Sequence, residues 1–348
     1  MNVVIVAGGT AGHINPGISI ANTIKKHYPE AKITFIGTRY GLEGKLVPKA
    51  GYDIKFIHSK GLSKNPIKLL KSIVANSEGL FEARKILEEL KPNIVIGMGG
   101  YVCAPVLFVA KKMLKIPVFI HESNSIAGKT NKFIGNFADG IAVGFERTKS
   151  DFKRSKYVFV TGNPINQAFF NIIKTPESEN TILIYGGSQG AKGINDAVIE
   201  LINKEKLSYK IIYATGEKNY IDVKNRIINS NNNDIEVLPY INNMPDMFSR
   251  VSLVIARAGA LTISELKASS MPATLIPLPT AAENHQEFNA RAFCESNNCE
   301  MILEKDLNEK ILNKTIEKML TVKVSNEKSH LENADEKIFE LIQPFLIK

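Results

Sequence analysis

A chain of 348 residues, 44% of them hydrophobic, is too long for one ordinary core and suits about two domains. Its three cysteines, Cys103, Cys294 and Cys299, are too few for a disulfide framework and lack zinc-ligand spacing, which favours a reduced, cytosolic setting. The net charge of +9 points to anionic partners such as phosphates or an acidic membrane face; with no basic run interleaved with aromatics and no DNA-binding motif, no nucleic-acid partner is expected. No apolar run approaches the ~20 residues that span a bilayer. The chain opens directly on an apolar run without a basic n-region, so no signal peptide is expected.

The first element is that run, Val3–Ala7, whose β-branched residues predict a buried strand. Gly8-Gly9-Thr10-Ala11-Gly12-His13 follows, and Pro16 with Ile18, Ile20, Ala21 and Ile24 predicts a helix. A strand, a glycine-rich loop and a helix N-terminus make an anion site, because free amides and the positive end of the helix dipole face the loop. Ile33–Ile36 reads as the next strand. Lys64, Lys68 and Lys71 recur at helical spacing with Ile67, Leu70 and Val74 on an adjacent stripe, followed by Leu80 and Phe81. Such a segment is either a surface helix with its apolar stripe in the core or a basic amphipathic face for an anionic bilayer. Ile94–Ile96 leads into Gly97-Met98-Gly99-Gly100-Tyr101, a second glycine-rich loop, and Val118–Ile120 into His121-Glu122-Ser123-Asn124. The stretch Ser123–Thr130 carries Gly-Lys-Thr but has serine where a P-loop has its first glycine, which argues against an NTPase. Gly140–Val143 and Val158–Val160 are further strands, and Gly162-Asn163-Pro164 marks a boundary.

The second half repeats the pattern. Thr181–Tyr185 runs into Gly186-Gly187-Ser188-Gln189-Gly190-Ala191, and neither glycine loop fits the dinucleotide fingerprint. Lys210–Tyr213, Ile235–Leu238, Leu253–Ile255 and Ala273–Ile276 read as strands, and Asn229–Asp234 as a polar surface loop. Strands alternating with helical segments predict parallel sheets with helices on both faces. Glycine-rich loops at the carboxyl ends of such strands predict a binding cleft. Ala256–Glu265 reads as a small-residue turn entering a helix: amides near Ala260, Leu261 and Thr262 suit a diphosphate, and Glu265, on the same helix face, can accept from both hydroxyls of a ribose. An isolated glutamate there would be an ordinary first-turn residue. No His/Asp/Glu cluster has metal-ligand spacing, so neither metal nor another cofactor is expected. The apolar stretch Ile338–Leu346 is expected to cross back to the first domain.

These motifs, in this order, with Gly259-Ala260-Leu261-Thr262-Ile263-Ser264-Glu265 the most specific, resemble the MurG family of bacterial N-acetylglucosaminyltransferases over nearly the whole chain. The resemblance implies an α/β fold of two Rossmann-like domains facing a cleft, the GT-B arrangement, here residues 1–162 with a C-terminal helix at about 331–348, and residues 163–330. It implies inverting transfer of N-acetylglucosamine from UDP-GlcNAc to an undecaprenyl-pyrophosphoryl-MurNAc-pentapeptide. The enzyme would be peripheral on the cytoplasmic face of the membrane, with an anionic lipid surface and a cell-wall synthesis complex as expected partners. By resemblance Ile241 meets the uracil, Glu265 the ribose, and Ser188 with Ala260, Leu261 and Thr262 the diphosphate. Gln286 and Asn289 read the sugar hydroxyls, while Thr10, Ala11, Gly12 and Asn124 reach the donor across the cleft. Gly8, Gly9, Gly99, Gly100 and Tyr101 would receive the acceptor pyrophosphate. The chain departs from the family at Asn166, where an arginine is usual; asparagine lacks the charged fork that suits phosphate.

Transfer at the sugar C1 needs stabilised charge on the leaving diphosphate and a base for the acceptor hydroxyl. His13 is the candidate base, its bland alternative being a loop-capping residue, and Glu122 is the rival. His27, His58 and His330 lie in polar contexts and read as surface residues. A UDP-GlcNAc 2-epimerase shares the fold and the donor, and a non-catalytic nucleotide-sugar-binding protein is a further alternative. The basic amphipathic segment and the Gly99–Tyr101 loop argue against the epimerase. His13, Glu265 and Gln286 together argue against the binding protein.

Overall fold

In a computed structural model, residues 1–61, 65–187, 190–227, 234–322 and 333–347 are described. They form two compact units, Met1–Ile165 with Leu331–Lys348, and Asn166–His330. In the first, β1 (Asn2–Val6), β2 (Lys32–Gly37), β3 (Asp53–Phe56), β4 (Ile94–Gly97), β5 (Val118–Glu122), β6 (Gly140–Val143) and β7 (Val158–Val160) lie parallel in the order β3-β2-β1-β4-β5-β6-β7. The crossovers carry α1 (Ala11–His27), α2 (Glu43–Lys49), α3 (Pro66–Leu90), α4 (Cys103–Phe108) and α5 (Lys129–Gly135). Strand β1 is apolar without alternation because a parallel strand is covered on both faces. Val3 and Ile5 join the core that includes α1, whereas Val4 and Val6 join the core under α3, α4 and α5.

The second unit repeats the plan. Its strands β8 (Thr181–Tyr185), β9 (Lys210–Ala214), β10 (Ile235–Leu238), β11 (Leu253–Ala256), β12 (Ala273–Leu275) and β13 (Cys299–Met301) run in the order β10-β9-β8-β11-β12-β13. The connections carry α6 (Lys192–Lys204), α7 (Tyr220–Arg226), α8 (Met244–Ser249), α9 (Ala260–Ala268), α10 (His285–Cys294) and α11 (Glu309–Leu320). In each sheet the strand order reverses once, beside β1 and β4 in the first and beside β8 and β11 in the second. Ligands of open α/β sheets bind at such reversals, beyond the carboxyl ends of the strands. All the glycine-rich loops follow these four strands.

The strands absent from the sequence reading, β3 and β13, are both sheet edges. Asp-Ile-Lys-Phe alternates and is at most half-buried, and Cys-Glu-Met is short and half-buried, so neither shows the apolar run of an inner strand. The cysteine reading also needs correcting. Cys294 ends α10 and Cys299 begins β13, and the structure joins them in a disulfide with Cα atoms 4.7 Å apart. Cys103 is a buried free thiol that burial pushes up to about 12.

The last helix, α12 (Ala334–Leu346), belongs to the first unit and packs on α1. Ile338, Phe339, Ile342 and Leu346 enter its core. The Ser19 hydroxyl donates to Asp335 at 2.7 Å, Lys26 and His27 reach Glu336 at 2.7 and 2.6 Å, and the Phe339 ring stacks on His27 at 4.1 Å. Phe339→Ala removes a buried ring at this seam and is expected to destabilise the first unit by about 3–5 kcal/mol. Urea unfolding checks it; an unchanged midpoint for that unit would show that α12 adds no stability.

Candidate active site

In the first unit the chain leaves β1 through Gly8 and Gly9 and enters α1 at Ala11. Thr10, the residue before α1, has extended backbone and makes no side-chain cap. The amides of Ala11 and Gly12 therefore have no partner among the described residues, as expected of a first helical turn. The Gly9 amide, by contrast, is already engaged. It donates to Glu43 Oε2 at 3.0 Å, while Glu43 Oε1 accepts from the Thr38 amide and hydroxyl, both at 2.8 Å. Glu43 is fully buried, so this carboxylate ties the glycine loop to the start of α2. Sequence reasoning missed it, because nothing in Gly-Leu-Glu-Gly distinguishes a buried carboxylate from a surface one.

His13, Gly8, Gly99 and Gly100 come together. Nδ1 of His13 lies 3.0 Å from the Gly8 carbonyl, which can only accept, so in the neutral ring the proton sits on Nδ1 and the lone pair on Nε2. A Cβ on Gly99 would lie 2.9 Å from that Nε2, and one on Gly100 would lie 2.8 Å from the Gly8 carbonyl oxygen. Both glycines have positive φ, 109° and 89°. Tyr101 is exposed, and its ring lies against Gly61.

Glu122 is 4% exposed, and its carboxylate is saturated. Oε1 accepts from the Asn124 amide at 2.9 Å and its Nδ2 at 3.1 Å, and Oε2 from the Gly128 amide at 3.0 Å and Asn131 Nδ2 at 2.9 Å. The loop that resembles a P-loop thus closes around a carboxylate of its own chain. With these four hydrogen bonds Glu122 has no ready lone pair for an acceptor hydroxyl, and Asn124 is held beside it. His121 is buried and faces His13; burial first lowers it to about 4, so it stays neutral and donates to the Gly162 carbonyl at 3.2 Å.

In the second unit Gly259 precedes α9 with extended backbone and no side-chain cap, leaving the amides of Ala260, Leu261 and Thr262 unpaired among the described residues. Glu265 projects from the second turn. It is partly accessible, and its carboxylate has no partner among the described contacts. Burial raises its carboxyl to about 8. Ile241, 8% exposed, follows β10 with its amide unpaired among the described residues. Ser188 lies outside the described residues.

Gln286 and Asn289 part company. Gln286 accepts the Leu278 amide on Oε1 at 2.9 Å, and among the described residues its NH2 has no partner and can donate. Asn289 is fully buried, and its Nδ2 donates to the Ala258 carbonyl at 3.3 Å, so it braces the turn before α9 and has no surface for a sugar. Two residues missed by the sequence reading hold the neighbouring loop. Arg257 pairs with Glu304 and donates to the Ile276 and Pro277 carbonyls at 3.1 and 3.2 Å. Glu283 and Asn284 take left-handed backbone (φ 54° and 56°) just before α10, a strain that persists only where the surroundings demand it. Asn166 is exposed and accepts the Ala168 amide at 2.9 Å, so it caps a short turn. Among the described residues no group of three His, Cys, Asp or Glu could hold a metal ion.

Two family models match this chain: the glycosyltransferase family 28 N-terminal domain over residues 3–143 and the corresponding C-terminal domain over residues 181–343. It is 42% identical to the UDP-N-acetylglucosamine–N-acetylmuramyl-(pentapeptide) pyrophosphoryl-undecaprenol N-acetylglucosamine transferase of Acetivibrio thermocellus, covering 99% of this chain and 98% of that protein. The crystal structure of Acinetobacter baumannii MurG superposes with a TM-score of 0.75 at 28% identity, covering 99% and 100% of the two chains. The UDP-GlcNAc 2-epimerase of Methanocaldococcus jannaschii aligns over 99% of this chain and 100% of its own with a TM-score of 0.65 at 16% identity, a likeness of fold alone.

The raised Glu265 carboxyl has a consequence for stability. Its folded value of about 8 lies above the ordinary 4.5, so the unfolded chain ionises first. The stability present below the ordinary value is lost as pH rises through 4.5 towards about 8. Glu265→Gln removes that loss: scanning calorimetry should find the variant level with wild type near pH 4 and more stable near pH 8. An equal difference at both pH values would contradict the assignment.

Proposed function

The chain belongs to the MurG family of N-acetylglucosaminyltransferases, and from that premise we infer how its two units share the reaction. The enzyme transfers N-acetylglucosamine from UDP-GlcNAc to the muramyl sugar of an undecaprenyl-pyrophosphoryl-linked pentapeptide, forming lipid II. Fold likeness to an epimerase does not carry that enzyme's reaction.

The second unit binds the donor. The observation that supports this best is the pairing of unpartnered first-turn amides at Ala260, Leu261 and Thr262 with Glu265, whose carboxylate is unpartnered among the described contacts. The amides suit the diphosphate, and Glu265 accepts from the ribose hydroxyls. Ile241 meets the uracil through its backbone, and the NH2 of Gln286 serves the sugar hydroxyls. Ser188 remains a diphosphate contact by family position, whereas Asn166, engaged in its own turn, leaves the diphosphate to backbone amides. As UDP departs, oriented amides stabilise the growing charge without reorganising.

The first unit binds the acceptor and supplies the base. The Ala11 and Gly12 amides, with those of Gly99, Gly100 and Tyr101, are free of described partners and suit a pyrophosphate. Thr10 is exposed beside them. His13, with its proton on Nδ1, presents Nε2 to take a proton from the muramyl hydroxyl, which attacks C1 with inversion. Glu122 holds the loop instead.

A lipid-linked acceptor brings the first unit to a membrane surface. Lys64 lies outside the described residues, as do the side chains of Ile67, Lys68, Leu70 and Lys71. On the same helical layer Leu80, Ala83 and Leu87 face the core, but Phe81 is 78% exposed, and Val74, Met113 and Phe133 are exposed as well. Lys112 lies 5.2 Å from the Phe137 ring. Exposed apolar residues among lysines suit the interface of an anionic bilayer. Among the described residues no helix is long and apolar enough to cross a membrane.

Two outcomes follow. His13→Ala should lower kcat by about 10²–10⁴-fold and leave UDP affinity unchanged; a preserved kcat with a raised KM for UDP-GlcNAc would make His13 a binding residue. Phe81→Asp with Phe133→Asp should abolish sedimentation with anionic liposomes and spare turnover of a short, soluble acceptor. Liposome binding equal to wild type would remove the membrane role from this layer.

A further inference from the structure

Strand β8 ends on Tyr185, paired in register with Ala256 of β11. Ile182 and Ile184 belong to the core beneath α6 and α11. The two-residue period of a strand turns Tyr185 to the opposite face. Right-handed crossovers to opposite sides of the switch point put α9 on that face. Tyr185 is 6% exposed, and its hydroxyl is sealed from solvent without a well-formed hydrogen bond, although the Thr262 hydroxyl stands beside it. Buried hydroxyls normally find a partner. A phenylalanine would fill the same volume without leaving one unmatched. Burial, and then the charge of Glu265, keep this hydroxyl protonated and therefore a donor. A buried phenol that can donate thus stands near a partly accessible carboxylate that can accept.

We propose that Tyr185 is a positioning residue for the donor nucleotide, its hydroxyl donating to the Glu265 carboxylate in the UDP-bound state and holding it towards the ribose. The proposal rests on the reading of Glu265 as the ribose contact. It explains why a strand end that needs only an aromatic ring carries a hydroxyl there.

The test is calorimetry of UDP and of 2′,3′-dideoxy-UDP with wild type, Tyr185→Phe, Glu265→Gln and the double variant, together with steady-state kinetics and thermal melts. Tyr185→Phe should melt no lower than wild type. It should weaken UDP binding by roughly 10–150-fold, the scale of one hydrogen bond to a charged group. KM for UDP-GlcNAc should rise in proportion at unchanged kcat. Dideoxy-UDP should bind wild type and Tyr185→Phe alike, and Tyr185→Phe should add nothing in the Glu265→Gln background. Wild-type UDP affinity in Tyr185→Phe overturns the proposal while leaving the Glu265 reading intact. Additive losses overturn it too, because the hydroxyl would then act without Glu265. Unchanged UDP affinity in Glu265→Gln overturns the reading of Glu265 and the proposal with it.

Discussion

A helix cannot pair the amides of its own first turn, and the function proposed for this enzyme depends on where those amides point. Parallel strands deliver the chain to one edge of each sheet, and beside each reversal of strand order that edge carries uncapped helix starts. Thr10 before α1 and Gly259 before α9 both have extended backbone and no side-chain cap. A serine or aspartate capping either helix would satisfy an amide that a phosphate can otherwise take. The reaction joins one diphosphate substrate to one pyrophosphate substrate, and each unit offers one such set of donors.

Three carboxylates show how the fold separates structure from chemistry. Glu43 and Glu122 are as buried as any acid in the chain, yet their oxygens accept from loop amides and side chains, and both fix glycine-containing loops. Glu265 has no such donors among the described contacts, and burial raises its carboxyl to about 8. An acid left unsatisfied beside an unsatisfied phenol is destabilising to the empty protein. On the proposed reading of Glu265, a ligand carrying two hydroxyls would remove that deficit, and part of the instability of the empty site would reappear as affinity for a ribose.

The inner strands were legible because a parallel strand covered on both faces must be a run of apolar, largely β-branched residues, as in Val3–Val6 and Ile182–Ile184. Edge strands escape that requirement, which is why Asp53–Phe56 and Cys299–Met301 left no signal. The glycine loops were legible because Gly99 and Gly100 must let His13 and Gly8 approach. What no linear pattern carries is which acid has found its donors. Glu43, Glu122 and Glu265 look alike as letters, and of the two amides three residues apart on α10, Asn289 is fully buried under Ala258 whereas Gln286 stays partly exposed and accepts from the Leu278 amide. The disulfide between Cys294 and Cys299 was equally hidden, because it depends on an edge strand folding back to the end of α10.

Everything proposed for the donor side rests on the first-turn amides of α9, unpaired among the described residues, holding the diphosphate. Amide hydrogen exchange with and without UDP reads those groups directly. UDP should slow exchange at Ala260, Leu261 and Thr262 and leave Gly9, whose amide Glu43 already holds, unchanged. Protection confined to the Gly8–Gly12 and Gly99–Tyr101 loops, with exchange at 260–262 unaltered, would contradict it.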